Sequence, residues 1–241
     1  MEKTLLVLGA SSDMGMKTIR ELREEYDCIF AHYRSMSTKL QELQDEIGSK
    51  LIYLQGDFSL TEDVLRCIDT IRQSGKIPTH IVHFPAPLCD NAKFHKIPWE
   101  TFQREMDISL RSIILVLQAF LPLMAKQRYG RVVLMLSFVV SGTAPAYCCN
   151  YVVTKYALLG LVKSLASEYA SKGITVNGIS PSWVNTKYIS NQPNLLIEKN
   201  RELSPLGRML EPEDIVPSIR FLFSDGASCI NGQNISITCG R

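Results

Sequence analysis

Two groupings in this 241-residue chain have residue types and spacings that could do chemistry. The first is Tyr151 with Lys155, in the segment NYVVTKY at 150–156, the only Tyr-x-x-x-Lys match in the chain. Residues four apart on a helix share a face, so the ammonium can sit beside the phenol and draw its pKa toward neutrality. A phenol tuned in this way exchanges a proton with a carbonyl or alcohol oxygen. The second is the loop GASSDMG, 9–15, which follows an apolar run. Gly9 permits a tight turn, and a helix beginning within the loop aims its free amides and positive dipole end at an anion, the arrangement that holds a phosphate. Asp13 stands where such loops often carry another glycine; the expectation is that it caps a helix starting at Met14.

These residues need a scaffold, and the apolar pattern supplies one. Runs at 4–9, 28–33, 50–55, 80–84, 131–137, 174–180 and 233–238 have strand length and continuous rather than alternating hydrophobicity, as expected of a sheet buried on both faces. Between them lie helical patterns at 14–25, 36–47, 61–74, 99–126, 151–171 and 212–224. Thr61 with Glu62 and Asp63, and Pro212 with Glu213 and Asp214, mark two of the helix starts. Repeated strand-helix-strand units predict an α/β fold, a doubly wound parallel sheet of about seven strands with helices on both faces. Ligands of such sheets sit beyond the carboxyl ends of the strands, where strand order reverses. No linker or repeat divides the chain, so residues 1–241 are expected to form a single domain.

Composition narrows the partners. With 26 basic and 24 acidic residues interspersed, the net charge of +2 argues against nucleic acid and against a membrane surface. Seven cysteines, odd in number and without a CxxC pair, fit reduced thiols better than a disulfide framework or a zinc site. The apolar stretch 112–125, broken by Gln118 and Pro122, falls short of the roughly 20 residues that cross a bilayer. A cytoplasmic protein acting on a small polar ligand is the expectation.

Gly9 to Gly15 after the first strand, Ser137 after GRVVLML, Tyr151 with Lys155, VNGISPSWVNT at 176–186 and PLGRMLEPEDIVPSIRFLFSD through INGQ at 205–233 together resemble the short-chain dehydrogenase/reductase family over essentially the whole chain. In length and layout the chain is most similar to the 3-oxoacyl-acyl carrier protein reductases. The resemblance implies a Rossmann-type, NAD(P)-binding enzyme that reduces a carbonyl to an alcohol by hydride transfer. Tyr151 would be the general acid, Lys155 would lower its pKa and hold the ribose hydroxyls, and Ser137 would hydrogen-bond the substrate oxygen. Ser141 is a weaker contender for that last role. Ser109, in MDISLRS, aligns with the family's helix asparagine, which leaves open both a water-holding role for its hydroxyl and the backbone kink normal there. Around the cofactor the resemblance places Gly9, Ser11, Ser12, Met14 and Gly15 at the phosphates. It places Asp57 and Phe58 with Phe84 near the adenosine, and Pro181 and Thr186 at the nicotinamide. The family's Asn-Asn-Ala-Gly is replaced by His83-Phe84-Pro85-Ala86, so the backbone there takes another shape.

The second strand ends in Arg34 and Ser35 with no acid. A guanidinium grips a 2′-phosphate where a carboxylate would repel it, so NADPH is favoured over NAD. Arg128 and Lys172 match positions that face the acidic carrier in the acyl carrier protein reductases, which points to a β-ketoacyl thioester or polyketide-like substrate, free or carrier-bound. Sugar or steroid alcohol oxidation at the same site, or a nucleotide-binding partner subunit without turnover, are the alternatives. Residues 186–205 are expected to form a short lid, and kinship implies a homodimer or homotetramer. His32 and His83 are expected to be packed or surface residues rather than acid-base groups.

Overall fold

The computed structural model describes residues 2–88 and 91–240, so Cys89 lies outside the described residues; the six described cysteines are free thiols. Seven strands form one parallel sheet: β1 (Thr4–Leu8), β2 (Cys28–Tyr33), β3 (Leu51–Gln55), β4 (His80–His83), β5 (Gly130–Met135), β6 (Ile174–Pro181) and β7 (Asn234–Ile237). Their order is β3-β2-β1-β4-β5-β6-β7, so strand succession reverses between β1 and β4. The continuous hydrophobicity of the inner strands has the anticipated cause, since β1 and β2 are buried along their whole length and β5 up to its half-buried last residue, Met135. Successive side chains leave opposite faces. Leu6 and Leu8 enter a core shared with Phe30, Phe120 and Leu158, while Leu5 and Val7 enter the one shared with Ile19, Ile29 and Ile215.

The helices are α1 (Asp13–Leu22), α2 (Thr38–Ile47), α3 (Thr61–Gln73), α4 (Trp99–Met106), α5 (Ser112–Gln127), α6 (Cys149–Tyr169), α7 (Asn194–Glu202) and α8 (Pro212–Phe223). Apolar spacing explains their docking: Met16, Ile19 and Leu22 face inward on α1, and Val64, Cys67, Ile68 and Ile71 on α3. Asp214 in the first turn of α8 accepts the Glu211 amide at 2.8 Å, closing that helix start as its sequence signal implies. The helix expected over 99–126 is instead α4 and α5 joined by a π-turn, Asp107–Arg111. Within the 29 residues of this composite helix an 18-residue window reaches a mean hydropathy of 1.9, enough to cross a membrane by length and composition only. Here one face of it, including Ile113, Leu117, Phe120 and Met124, is built into the core. Helix α7 occupies the segment expected to be a lid loop.

Candidate active site

The sequence-derived phosphate-loop and catalytic candidates gather toward the carboxyl edge of the sheet. Chain reversal between β1 and β4 opens the crevice there.

The loop after β1 is set by two glycines. Gly9 has φ +81°, and a Cβ on it would lie 3.3 Å from both Phe84 and Pro85. A Cβ on Gly15 would fall 2.5 Å from the Gly9 carbonyl oxygen, so only glycine lets the start of α1 close against the loop. Ser12, not Asp13, is the N-cap: its hydroxyl accepts the Gly15 amide at 3.0 Å and donates to the Gly9 carbonyl at 2.7 Å. Helix α1 therefore begins one residue earlier than expected, at Asp13. The reason is geometric, since the residue in extended conformation is Ser12, and its shorter side chain folds back over the first turn. Asp13 turns away from the loop and accepts the Lys187 amide at 2.7 Å, tying the loop to the segment that follows Thr186. The first-turn amides of Asp13 and Met14 have no acceptor within the helix, and Ser11 is half-buried beside them. This cradle fits a dinucleotide pyrophosphate.

His32 clips the loop from beneath. Its Nδ1 accepts the Gly9 amide at 3.1 Å and its Nε2 lies 3.0 Å from the Gly56 carbonyl, which fixes the proton on Nε2. Burial pushes its pKa down to about 4, so it is a neutral spacer. Phe58 stacks on it at 3.5 Å and is itself buried, which leaves only the Phe58 backbone to meet a cofactor. Asp57 accepts the Ser59 amide at 2.9 Å; that bond holds its carboxyl below the usual range, with the Arg34 charge adding to the effect. Arg34 and Ser35 are exposed just past β2, and Phe84 is half-buried past β4. Pro181 ends β6, and Thr186 donates to the Val184 carbonyl at 3.4 Å.

The catalytic candidates come from β5, α6 and the π-turn. Tyr151 and Lys155 lie in the first two turns of α6, with the Lys155 Nζ 5.4 Å from the centre of the Tyr151 ring. Lys155 is 3% exposed and donates to the Met135 carbonyl at 2.7 Å, two residues before the buried Ser137. Burial draws its pKa down to about 8, against the pull of the Glu105 carboxylate. Ser141 is exposed and paired with the Ser236 hydroxyl at 3.1 Å, away from that cluster. Ser109 is fully buried in the π-turn, and its hydroxyl has no partner among the described residues. The backbone kink survives without an asparagine. Asp107 and Arg111 bridge it at 2.8 Å, and Arg111 also donates to the Ser59 carbonyl at 2.8 Å, tethering the turn to the Asp57 loop.

Glu105 and Asn150, which the sequence did not single out, are buried and hydrogen-bonded to each other at 3.4 Å. His83, expected to be packed or at the surface, is buried and lies 3.5 Å from the Ser112 hydroxyl. Glu105, Ser109 and Ser112, spaced by four and three, share one helical face, a spacing that does not by itself tell a buried polar face from a solvated one. Arg128 and Lys172 precede β5 and β6, at the sheet edge opposite Tyr151, so within one chain they do not border the site. In α7, Leu195 is 83% exposed while Leu196 and Ile197 are half-buried.

Comparisons with known proteins agree on one family. A family model described as enoyl-(acyl carrier protein) reductase matches residues 9–241. The 3-oxoacyl-[acyl-carrier-protein] reductase FabG of Staphylococcus aureus is 30% identical over 244 aligned residues, covering 100% of this chain and 98% of that protein. Two solved structures share the fold. YwfH, an NADPH-dependent reductase involved in bacilysin biosynthesis, gives a TM-score of 0.89 at 20% identity, over 100% of this chain and 98% of that one. A 3-oxoacyl-[acyl-carrier protein] reductase from Brucella melitensis with bound NAD gives 0.87 at 20% identity, over 99% and 90%.

Proposed function

The chain belongs to the short-chain dehydrogenase/reductase family and is an NAD(P)H-dependent oxidoreductase, and from that premise we propose that it is an NADPH-dependent ketoreductase of β-ketoacyl thioesters or related polyketide-like ketones. The observation that carries this reading is the buried Lys155 ammonium beneath the Tyr151 ring, anchored to the end of β5.

When bound, the nicotinamide cofactor supplies the hydride. Tyr151 gives its phenolic proton to the carbonyl oxygen, completing the alcohol. Lys155, its positive charge close to that phenol, stabilises the tyrosinate left behind and offers donors to ribose hydroxyls. Ser137 donates to the substrate oxygen as negative charge grows on it, an effect of roughly 10²- to 10³-fold where such donors are removed. The Gly9–Gly15 loop and α1 hold the pyrophosphate. Arg34, with no acid beside it on β2, supports NADPH over NADH.

The similarity to the Staphylococcus aureus 3-oxoacyl-[acyl-carrier-protein] reductase FabG supports a thioester substrate, carrier-bound or free. One domain over 1–241, a cytoplasmic setting and a homodimer or homotetramer belong to the same proposal. The partly exposed Leu110, Leu115, Ala119 and Leu123 along the composite helix support the assembly. The test is NADPH oxidation across β-keto thioesters, quinones, keto-steroids and keto-sugars. Turnover with β-keto thioesters is expected; turnover confined to keto-sugars or keto-steroids would replace the substrate class, and tight NADPH binding without any turnover would mark a non-catalytic subunit.

A further inference from the structure

Buried lysines are rarely left without a counter-charge, because an ammonium removed from water loses its hydration and must be compensated or discharged. Around Lys155 the packed elements present few candidates. β4 contributes His83, held neutral by burial and by Lys155 itself. β5 contributes only the Met135 carbonyl. The same helix contributes Tyr151. The π-turn and the start of α5 contribute the hydroxyls of Ser109 and Ser112, and Asp107 on that turn is engaged by Arg111. Helix α4, which packs across α6, contributes the buried carboxylate of Glu105.

Glu105 is 2% exposed and so is Asn150, whose amide donates to it at 3.4 Å; Asn150 directly precedes Tyr151. We propose that Glu105 is a positioning residue of the reductase site, its buried carboxylate keeping Lys155 cationic and, through Asn150, fixing the first turn of the helix that carries Tyr151. The inference rests on the assignment of Tyr151 and Lys155 as the catalytic pair. The electrostatics run the same way, with Glu105 the influence that raises the Lys155 pKa against burial. A carboxylate at this point gives the site a charge relationship that reaches it from a different helix. The alkaline limit of turnover is then set by α4 as well as α6.

The test is a titration of the Lys155 ε-carbon by NMR on the full chain, its resonance assigned by its loss in Lys155→Met. In the unsubstituted protein the midpoint is expected near 8. Glu105→Gln keeps an acceptor for Asn150 and removes the charge, so the midpoint should fall by about one unit or more, and Glu105→Asp should largely restore it. The alkaline limb of kcat should move down with it while substrate KM stays within about threefold, a split that a purely structural role would not produce. A Glu105→Gln midpoint equal to that of the unsubstituted protein would overturn the proposal. Should Glu105→Gln fail to fold, Lys155→Met asks the reciprocal question: the Glu105 carboxyl must titrate at higher pH once its cation is gone, and an unshifted carboxyl would equally overturn it. Turnover surviving in Tyr151→Phe would instead sink the catalytic reading beneath, without bearing on either midpoint.

Discussion

Among single residues, the proposed chemistry rests on a phenol, an ammonium and a hydroxyl, Tyr151, Lys155 and Ser137, which spacing and resemblance single out in the sequence. Tyr151 and Lys155 were visible because a helix brings residues four apart onto one face. Glu105 was not, because no local pattern tells a buried acid from a solvated one; its burial depends on α4 crossing α6, a contact between residues 45 apart in the chain. The same limit misplaced the cap of α1. Ser12 and Asp13 are both good caps, and only the backbone shows which of them is extended. On the proposed reading, cofactor choice rests on Arg34. Replacing Arg34 by Asp should lower kcat/KM with NADPH by about 10- to 100-fold, the worth of one charge-assisted contact, and leave NADH unchanged or improved. Paired assays with the two cofactors check this; an unchanged NADPH preference would place recognition of the 2′-phosphate elsewhere.

The elements contribute by holding their ends in register. Gly15 allows α1 to meet its own loop, so Gly15→Ala forces the Cβ into the Gly9 carbonyl and Ala10. The expected result is at least about a tenfold rise in NADPH Kd, with a stability loss of about 1–3 kcal/mol, read by cofactor fluorescence and urea unfolding. Asp13 joins α1 to the segment at Lys187 that leads into α7. Asp13→Ala should raise substrate KM by about 3- to 10-fold, because a segment over the site loses its anchor, while NADPH binds as well or better once an anion near the pyrophosphate is gone. A weakened NADPH Kd with unchanged KM would contradict this assignment. At this scale the sequence was a good guide to the strands, whose buried runs fall within a residue or two of the expected limits. It was a poorer guide to α7, since Asn191, Pro193 and Asn194 look like loop residues and its Leu195 faces solvent. The π-turn escaped because its cause lies in tertiary ties from Arg111 to the Asp57 loop.

In the molecule as a whole, three buried histidines couple stability to pH. Burial lowers His32 and His80 to about 4, and burial with the nearby Lys155 charge holds His83 well below its ordinary value. An unfolded histidine titrates near 6.5, so between about pH 6.5 and 4 the unfolded chain binds protons that the native chain refuses. The stability that His32 and His80 contribute is therefore complete above about pH 6.5 and is lost as pH falls toward 4, on the order of 2–3 kcal/mol for each, and His83 acts in the same direction. Urea midpoints should fall between pH 7.5 and 5, and a midpoint flat across that range would contradict the burial. The order β3-β2-β1-β4-β5-β6-β7 puts the phosphate loop, Ser137 and the Tyr151 helix around one crevice, and the central claim is that this crevice reduces ketones through Tyr151. Single-turnover oxidation of bound NADPH by a β-keto thioester, compared between the unsubstituted protein and Tyr151→Phe, tests it most directly. The predicted result is a fall of about 10²- to 10⁴-fold in the Tyr151→Phe rate with NADPH Kd unchanged; a rate within a few-fold of the unsubstituted protein would contradict the mechanism.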